Sequence, residues 1–207
     1  RLWPKALSGT QIEGVVTLTE IQGLSGGYAV VGASDGTVAA VNISTGATLW
    51  QTAALGDAIG ASVGVQVWAA SDASFQGQFG GDVLFVGTKN ASPTNNKVYA
   101  LNAATGAVLW TFNALGGTAV DVVTGIPWVN HDANQVLITT RSNGGSQPSL
   151  WALSTLNGIV GPSWSLGDIN NWLGWGMDGV VYVPAADGKL YALDLATLTM
   201  KWTSPFD

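Results

Sequence analysis

The sequence contains no cysteine. That absence removes disulfides, thiolate metal sites, haem-attachment motifs and cysteine nucleophiles, although it identifies no compartment. Charge is scarce as well. Only 10% of the 207 residues are charged, and seven Lys and Arg against thirteen Asp and Glu leave a net charge of -6. There is no basic footprint for nucleic acid or an anionic membrane, so neither is expected as a partner. Long apolar runs are also missing. The longest, such as residues 179–186, fall far short of the ~20 residues of a membrane helix, and no basic-then-apolar leader opens the sequence, so no membrane insertion is expected.

Glycine and tryptophan are abundant: 28 and ten residues in a chain that is 47% apolar. Such a composition suits many short strands joined by tight turns around a substantial core. The order of residues makes this specific. VAAVNISTGATLW at 38–50, VYALNAATGAVLW at 98–110, LWALSTLNG at 150–158 with Trp164 after it, and LYALDLATLTMKW at 190–202 are four versions of one phrase. A recurring strand, tight turn and tryptophan-ended strand is the pattern of a β-propeller, because one such unit cannot bury both of its faces alone.

Aligned on the turn, Gly46 and Gly106 stand four residues before Trp50 and Trp110, Leu198 holds that place before Trp202, and Gly158 stands six before Trp164. The third unit therefore reads as carrying a two-residue insertion at Gly161-Pro162. Upstream of each phrase lies a run rich in β-branched residues: YAVVG at 28–32, VLFVG at 83–87, VLITT at 136–140 and VVYVP at 180–184. Each suits a strand buried on both faces. Asp35-Gly36 and Asp187-Gly188 join two of these to the next strand and supply the positive φ of a two-residue hairpin. A further strand is expected before each run, near 14–20, 61–68, 122–129 and 171–177.

The expected fold is thus all-β, a β-propeller of four-stranded antiparallel blades, with four blades at approximately 14–52, 61–112, 121–166 and 170–204. Residues 1–5, around Trp3, read as the last strand of a preceding blade. The expectation is that these four blades are part of a larger propeller; the alternative that length allows is a closed ring of four, in which the strand at Trp3 would be surplus. Radially stacked sheets leave wedge-shaped gaps, and an indole that buries ~150–250 Å² while finding one acceptor for its N–H suits them. Trp3, Trp50, Trp110, Trp164 and Trp202 are the candidates for blade docking.

The stretch from Asp178 to Trp202 resembles the PQQ-like (quinoprotein-type) propeller repeat, with its Asp-Gly turn, Tyr-Ala-Leu-Asp strand and closing Trp, and all four units fit it. The departures are Leu198 where glycine is usual and the long loops at 90–96 and 142–149. The resemblance implies a fold more than a function, since the family looks to include quinoprotein alcohol dehydrogenases, outer-membrane assembly scaffolds of the periplasm and sensor or surface domains. For the dehydrogenases it implies a quinone in a central channel, a calcium held by carboxylate and amide ligands, an aspartate base and often adjacent cysteines. The cysteines are absent here.

Asp72, Asp121, Asp132 and Asp168 fall near strand ends, yet no spaced cluster matches a calcium loop, and turn capping accounts for them. His131 beside Asp132 forms no dyad by sequence, since neighbours on a strand or turn usually point apart, and it reads as a solvated loop residue. Asn42 and Asn90 open Asn-X-Ser sequons; Asn42 aligns with Asn102 and Asp194 as a turn former, and Asn90 in its long loop is the better glycan acceptor. Trp172 and Trp175 suggest a carbohydrate platform, but a buried inner strand explains them more simply.

The sequence therefore reads as a non-catalytic, extracytoplasmic scaffold or protein-interaction module without a cofactor, its partner another protein or a neighbouring domain. Few Lys and many Ser, Thr, Asn and Gly support the exported location. The alternative is a segment of a PQQ-dependent alcohol or sugar dehydrogenase, with PQQ and calcium bound by residues outside this chain. In four-stranded blades the loops between second and third strands share a face with the inter-blade connections. This groups residues 89–97, 141–149, 53–60 and 113–118, and makes Lys89, Asn90, Lys97, Arg141 and Asn143 the candidate interaction residues on the less acidic face.

Overall fold

The structure, a computed structural model, describes residues 11–21, 23–61, 63–66, 79, 81–113, 120–176 and 178–202. The expected strand around Trp3 lies outside the described residues. The described strands form four antiparallel sheets, each of four strands in sequence order. The first holds β1 (Thr17–Glu20), β2 (Gly27–Gly32), β3 (Val38–Asn42) and β4 (Thr48–Gln51); the second β5 (Gly64–Gln66), β6 (Val83–Gly87), β7 (Val98–Asn102) and β8 (Val108–Phe112). The third holds β9 (Trp128–Asn130), β10 (Gln135–Thr139), β11 (Leu150–Ser154) and β12 (Val160–Trp164); the fourth β13 (Gly174–Trp175), β14 (Val180–Pro184), β15 (Leu190–Asp194) and β16 (Thr199–Met200). The chain is all-β in its described strands, laid out as propeller blades.

The cores lie between the sheets. Side chains alternate across a strand, so β6 sends Leu84 and Val86 into the seam with the first sheet and Val83 and Phe85 into the seam with the third. Strand β11 divides in the same way, Trp151 and Leu153 to one side and Leu150 and Ala152 to the other. Continuous apolar runs are the consequence: all five residues of β6 are buried. Each fully buried Val, Leu or Phe contributes about 1.5–3 kcal/mol.

Each junction is tied twice. On one face the chain crossing to the next blade acts as a strap. Ile59 N–H donates to Ala33 O, and Ala58 O accepts from Lys89 N–H; Val123 donates to Thr88 O while Val122 accepts from Arg141; Ile169 donates to Thr140 O while Asp168 accepts from Ala186. The strap residues Ile59, Val123 and Ile169 are fully buried. Two of them press on glycines: a Cβ at Gly32 would lie 2.2 Å from Ile59 Cγ2, and one at Gly87 2.3 Å from Val123 Cγ1. Strand β2 and strand β6 end in glycine because the strap's side chain occupies the space.

The second tie is an indole. Trp50 Nε1 donates to Ala103 O at 2.7 Å and Trp110 Nε1 to Thr155 O at 2.8 Å, each reaching the next blade. A Cβ at Gly106 would lie 2.6 Å from the Trp50 ring, and one at Gly158 2.7 Å from the Trp110 ring, so the turn glycine is also the ring's seat. The third unit departs from expectation. Its turn has the same length as the others, with Gly158 N–H bonded to Ser154 O as Gly106 is to Asn102 O, and Val160 pairs with Leu153 as Val108 does with Leu101. There is no insertion. Pro162 stands where Trp50 and Trp110 stand, and Trp164 lies two residues further along, opposite Leu150. A shift of two keeps a side chain on the same sheet face, so Trp164 still packs in the third seam beside Leu198, which adopts φ 53 in the place of the turn glycine. Trp202 is 37% exposed and lies 5.9 Å from the ring of Tyr182 in its own blade.

Other expectations shift. The Asp-Gly hairpins are three-residue loops: Ala33 N–H donates to Thr37 O and Ala185 N–H to Lys189 O. Only the glycines take positive φ, 84° at both Gly36 and Gly188, while Asp35 and Asp187 accept from the backbone two residues on. A type I turn closed by a left-handed glycine needs no second positive φ. Inner strands β9 and β13 are shorter than expected. Trp172 and Trp175 are 51% and 61% exposed, so the buried-strand explanation for this pair does not hold.

Replacing Trp50 by Ala should lower unfolding free energy by about 3–5 kcal/mol, read from denaturant midpoints, with a smaller loss at the half-buried Trp110. Gly87→Ala should destabilise by about 1–3 kcal/mol, and Val123→Ala in the same chain should recover part of that loss, giving a coupling energy of opposite sign in a double-mutant cycle.

Candidate functional site

The straps and the loops between second and third strands lie together on one face, joined by the hydrogen bonds of the three junctions. The loop after β6 is organised by Asn96, fully buried. Its Oδ1 accepts from Asn90 N–H and from the Thr88 hydroxyl, and its Nδ2 donates to Asn90 O and Ser92 O. Every polar atom of this amide is engaged, which fixes the loop without an apolar core of its own. Asn90 is held on its other side: Oδ1 accepts from Ser92 N–H at 2.7 Å and Nδ2 donates to Asp57 Oδ1. A glycan on Nδ2 would replace one of its two hydrogens and have to be accommodated beside Asp57.

The loop after β10 uses carboxylates instead. Asp168 Oδ1 accepts from the Ser142 hydroxyl at 2.6 Å and from Ser142 N–H at 2.8 Å. These bonds, the hydroxyl's first, hold the Asp168 carboxyl below its ordinary value against a small opposing effect of burial, with Arg141 adding to the lowering. Asp121 is buried and accepts from Val122 N–H and, through Oδ2, from Asn143 N–H at 2.9 Å; Asn143 itself adopts φ 48. The connection at 53–60 is held by Tyr99, whose hydroxyl donates to Leu55 O at 2.6 Å. Burial, then the nearby Asp57, pushes that phenol up.

Lys89 forms an ion pair with Glu13 at 2.7 Å, with its side chain half exposed. Arg141 is exposed and Lys97 half-buried at the two loop bases. Lys189 joins them on the turn after β14. Six described carboxylates share the face: Asp121 and Asp168 are occupied by backbone donors, Glu13 by Lys89 and Asp57 by Asn90 Nδ2, while Asp35 and Asp187 cap their own turns. The opposite face carries Glu20, Asp82, Asp132, Asp178 and Asp194 with Lys201 as its cation among the described residues. Residues 114–118 of the expected loop cluster, and Asp72, lie outside the described residues.

The remaining candidates fall on that opposite face. His131 and Asp132 are exposed on the turn between β9 and β10 and border a cleft. Asn42 Oδ1 accepts from Ser44 N–H, Thr45 N–H and the Thr45 hydroxyl; Asn102 repeats this with Ala104 and Thr105, and Asp194 with Ala196 and Thr197. This cap recurs because Asx side chains satisfy a turn's free N–H groups at low entropic cost. Trp151, not singled out in the sequence, is buried, donates to the Thr140 hydroxyl at 3.1 Å and meets Phe112 edge-on at 5.6 Å. Its place two residues ahead of Leu153 in the repeated phrase was its available signal.

Among the described residues no group of three or more His, Asp or Glu side chains could hold a metal ion. Asp121 and Asp168, two of the carboxylates near strand ends, direct their oxygens at loop N–H groups, whereas Asp132 is exposed on the turn after β9.

A family model described as "Outer membrane protein assembly factor BamB" matches residues 34–172. Among solved structures the chain is similar to BamB from Moraxella catarrhalis, at 22% identity and a TM-score of 0.62, with 92% of this chain and 52% of that one covered. It is similar to the computationally designed Ika4 protein at 18% identity and a TM-score of 0.63, covering 94% and 98%. It is also similar to the quinohemoprotein alcohol dehydrogenase from Comamonas testosteroni at 18% identity and a TM-score of 0.62, covering 93% and 34%. At these identities the likeness is one of fold, and the chain spans about half the length of the BamB structure. No curated protein sequence matches the chain.

Because the Asp168 carboxyl is depressed in the folded state, its contribution to stability is full above the ordinary value of 3.8 and is lost as pH falls below it. Denaturant titrations across that range should show a steeper acid loss in the parent than in Asp168→Asn. Asn96→Asp should loosen the loop after β6, since a carboxylate cannot donate to Asn90 O and Ser92 O; amide exchange of Asn90 and Ser92 should accelerate about tenfold or more.

Proposed function

The chain belongs to the family described as outer membrane protein assembly factor BamB, and from that membership we propose that it is a non-catalytic propeller module that works outside the cytoplasm as a protein-interaction scaffold. The observation that carries this reading is the loop face. Its segments are locked by buried polar side chains and by the three straps, so a partner meets a surface that is already ordered and binding costs little conformational entropy. Lys97, Arg141 and Asn143 offer polar groups there, with Asn90 locked beside them, while the carboxylates around them are largely occupied by the loops themselves. Carboxylates that cap loops are poor catalysts, since their lone pairs are committed to backbone donors. The family description names an assembly factor at the outer membrane, which agrees with an exported scaffold whose partner is another polypeptide or a neighbouring domain.

Photo-activatable residues at Lys97 and Asn143 of the full-length protein should cross-link a discrete partner in envelope extracts, and the same probe at Lys201 should not. Reversing Lys89, Lys97 and Arg141 to Glu should slow association and weaken capture about tenfold, an effect that fades with added salt. Alcohol-dependent dye reduction by the full-length protein with PQQ and calcium would overturn the reading in favour of a dehydrogenase.

A further inference from the structure

On the face opposite the loops, a cleft of about 680 Å³ opens between the third and fourth blades, with Trp128, Asn130 and Asp132 on one side and Trp175, Asp178 and Asp194 on the other. Its charge is of one sign. His131 also borders it, and the nearest cation among the described residues is Lys201, which forms a long ion pair with Asp178 Oδ2 at 3.9 Å; both side chains are about half exposed, so the pair is weak and an incoming guanidinium can replace the ammonium. Asp178 is loosely held, accepting from Val180 N–H at 3.3 Å and from the Tyr182 hydroxyl at 3.5 Å. Asp194 uses Oδ1 for its turn, and bonds from Thr197 N–H and then the Thr197 hydroxyl keep its carboxyl below the ordinary range. Trp175 is 61% exposed on the short strand β13, while Trp128 is half-buried against the third seam. An indole left open to water beside several carboxylates is a favourable platform for a flat cation.

We propose that this cleft receives an arginine side chain of a partner polypeptide, its guanidinium stacked on Trp175 and paired with the carboxylates of Asp132 and Asp178. Charge complementarity selects the occupant. A guanidinium is planar, weakly hydrated and able to meet an indole face and a carboxylate fork together, whereas an ammonium presents a compact, strongly hydrated charge. A saccharide would also stack on the ring, but three carboxylates of one sign give it no advantage over a cation. This site is independent of the loop face, on the other side of the blades, and stands whether or not that face binds a partner.

The test uses the complete chain labelled with ¹⁵N, its indole N–H signals assigned by single Trp→Phe variants, and titrated with hexa-arginine, hexaglutamate and cellohexaose. Hexa-arginine should shift the Trp175 and Trp128 signals and saturate. Trp175→Ala, and separately the pair Asp132→Asn with Asp178→Asn, should each weaken that binding about tenfold. Asp35→Asn, which removes the same charge from the opposite face and keeps its turn acceptor, should leave it unchanged. Trp175 is exposed enough for its loss to leave the melting transition in place, which is checked on the same samples. Three results would overturn the proposal: no shift at either indole with hexa-arginine, shifts with cellohexaose or hexaglutamate instead, or arginine binding that survives Trp175→Ala or falls equally with Asp35→Asn.

Discussion

The structure depends on apolar burial between sheets and not within them. Each blade is apolar on both faces, so Leu84 and Val86 look one way and Val83 and Phe85 the other, and neither set is removed from water until a neighbour arrives. Stability is then a sum over junctions, as expected of a repeat architecture in which contacts join nearest neighbours. The glycine at the end of β6 and the strap residue Val123 are two sides of one such junction: the sheet can close on its neighbour only where a Cβ is missing.

Two polar devices hold the junctions in register without entering the cores. The straps exchange backbone hydrogen bonds with both neighbouring blades, satisfying connections that would otherwise be exposed loops. The indoles of Trp50 and Trp110 add one directional bond each at the outer strand, on top of the area they cover. The third junction is made differently, with Pro162 in the tryptophan's place, Trp164 displaced along the same face and Leu198, in a left-handed conformation, holding the place of the turn glycine. The same junction has the open cleft on its acidic side. The seam that departs most from the repeat thus has space for a ligand.

The two faces differ in what their charges are free to do. On the loop face, carboxylates such as Asp168 and Asp121 spend their lone pairs on Ser142, Val122 and Asn143, so structure consumes much of the negative charge and leaves Arg141 and Lys97 available. On the opposite face, Asp132 and Asp178 border open space beside the exposed indole of Trp175. An ordered, mixed-charge face and a separate anionic cleft present two surfaces that select ligands by sign of charge as well as by shape.

The repeated phrase, the β-branched runs and the turn residues determined four four-stranded antiparallel sheets, because continuous apolar runs of strand length and Asp-Gly turn chemistry are local properties that read directly from residue order. The Asn42, Asn102 and Asp194 caps were legible for the same reason, and so was the shared face of straps and loops, which follows from strand order. What only the tertiary structure decided lies between blades. Spacing alone could not tell an insertion before Trp164 from a two-residue displacement of the indole, since both leave the side chain on the same face and only the pairing of Val160 with Leu153 distinguishes them. Nor could it tell that Gly32 and Gly87 yield to a strap, that Asp168 reaches Ser142, or that Trp172 and Trp175 remain open to water. Each depends on residues distant in sequence meeting across a seam, and burial there is set by how neighbouring sheets stack, a quantity no single strand encodes.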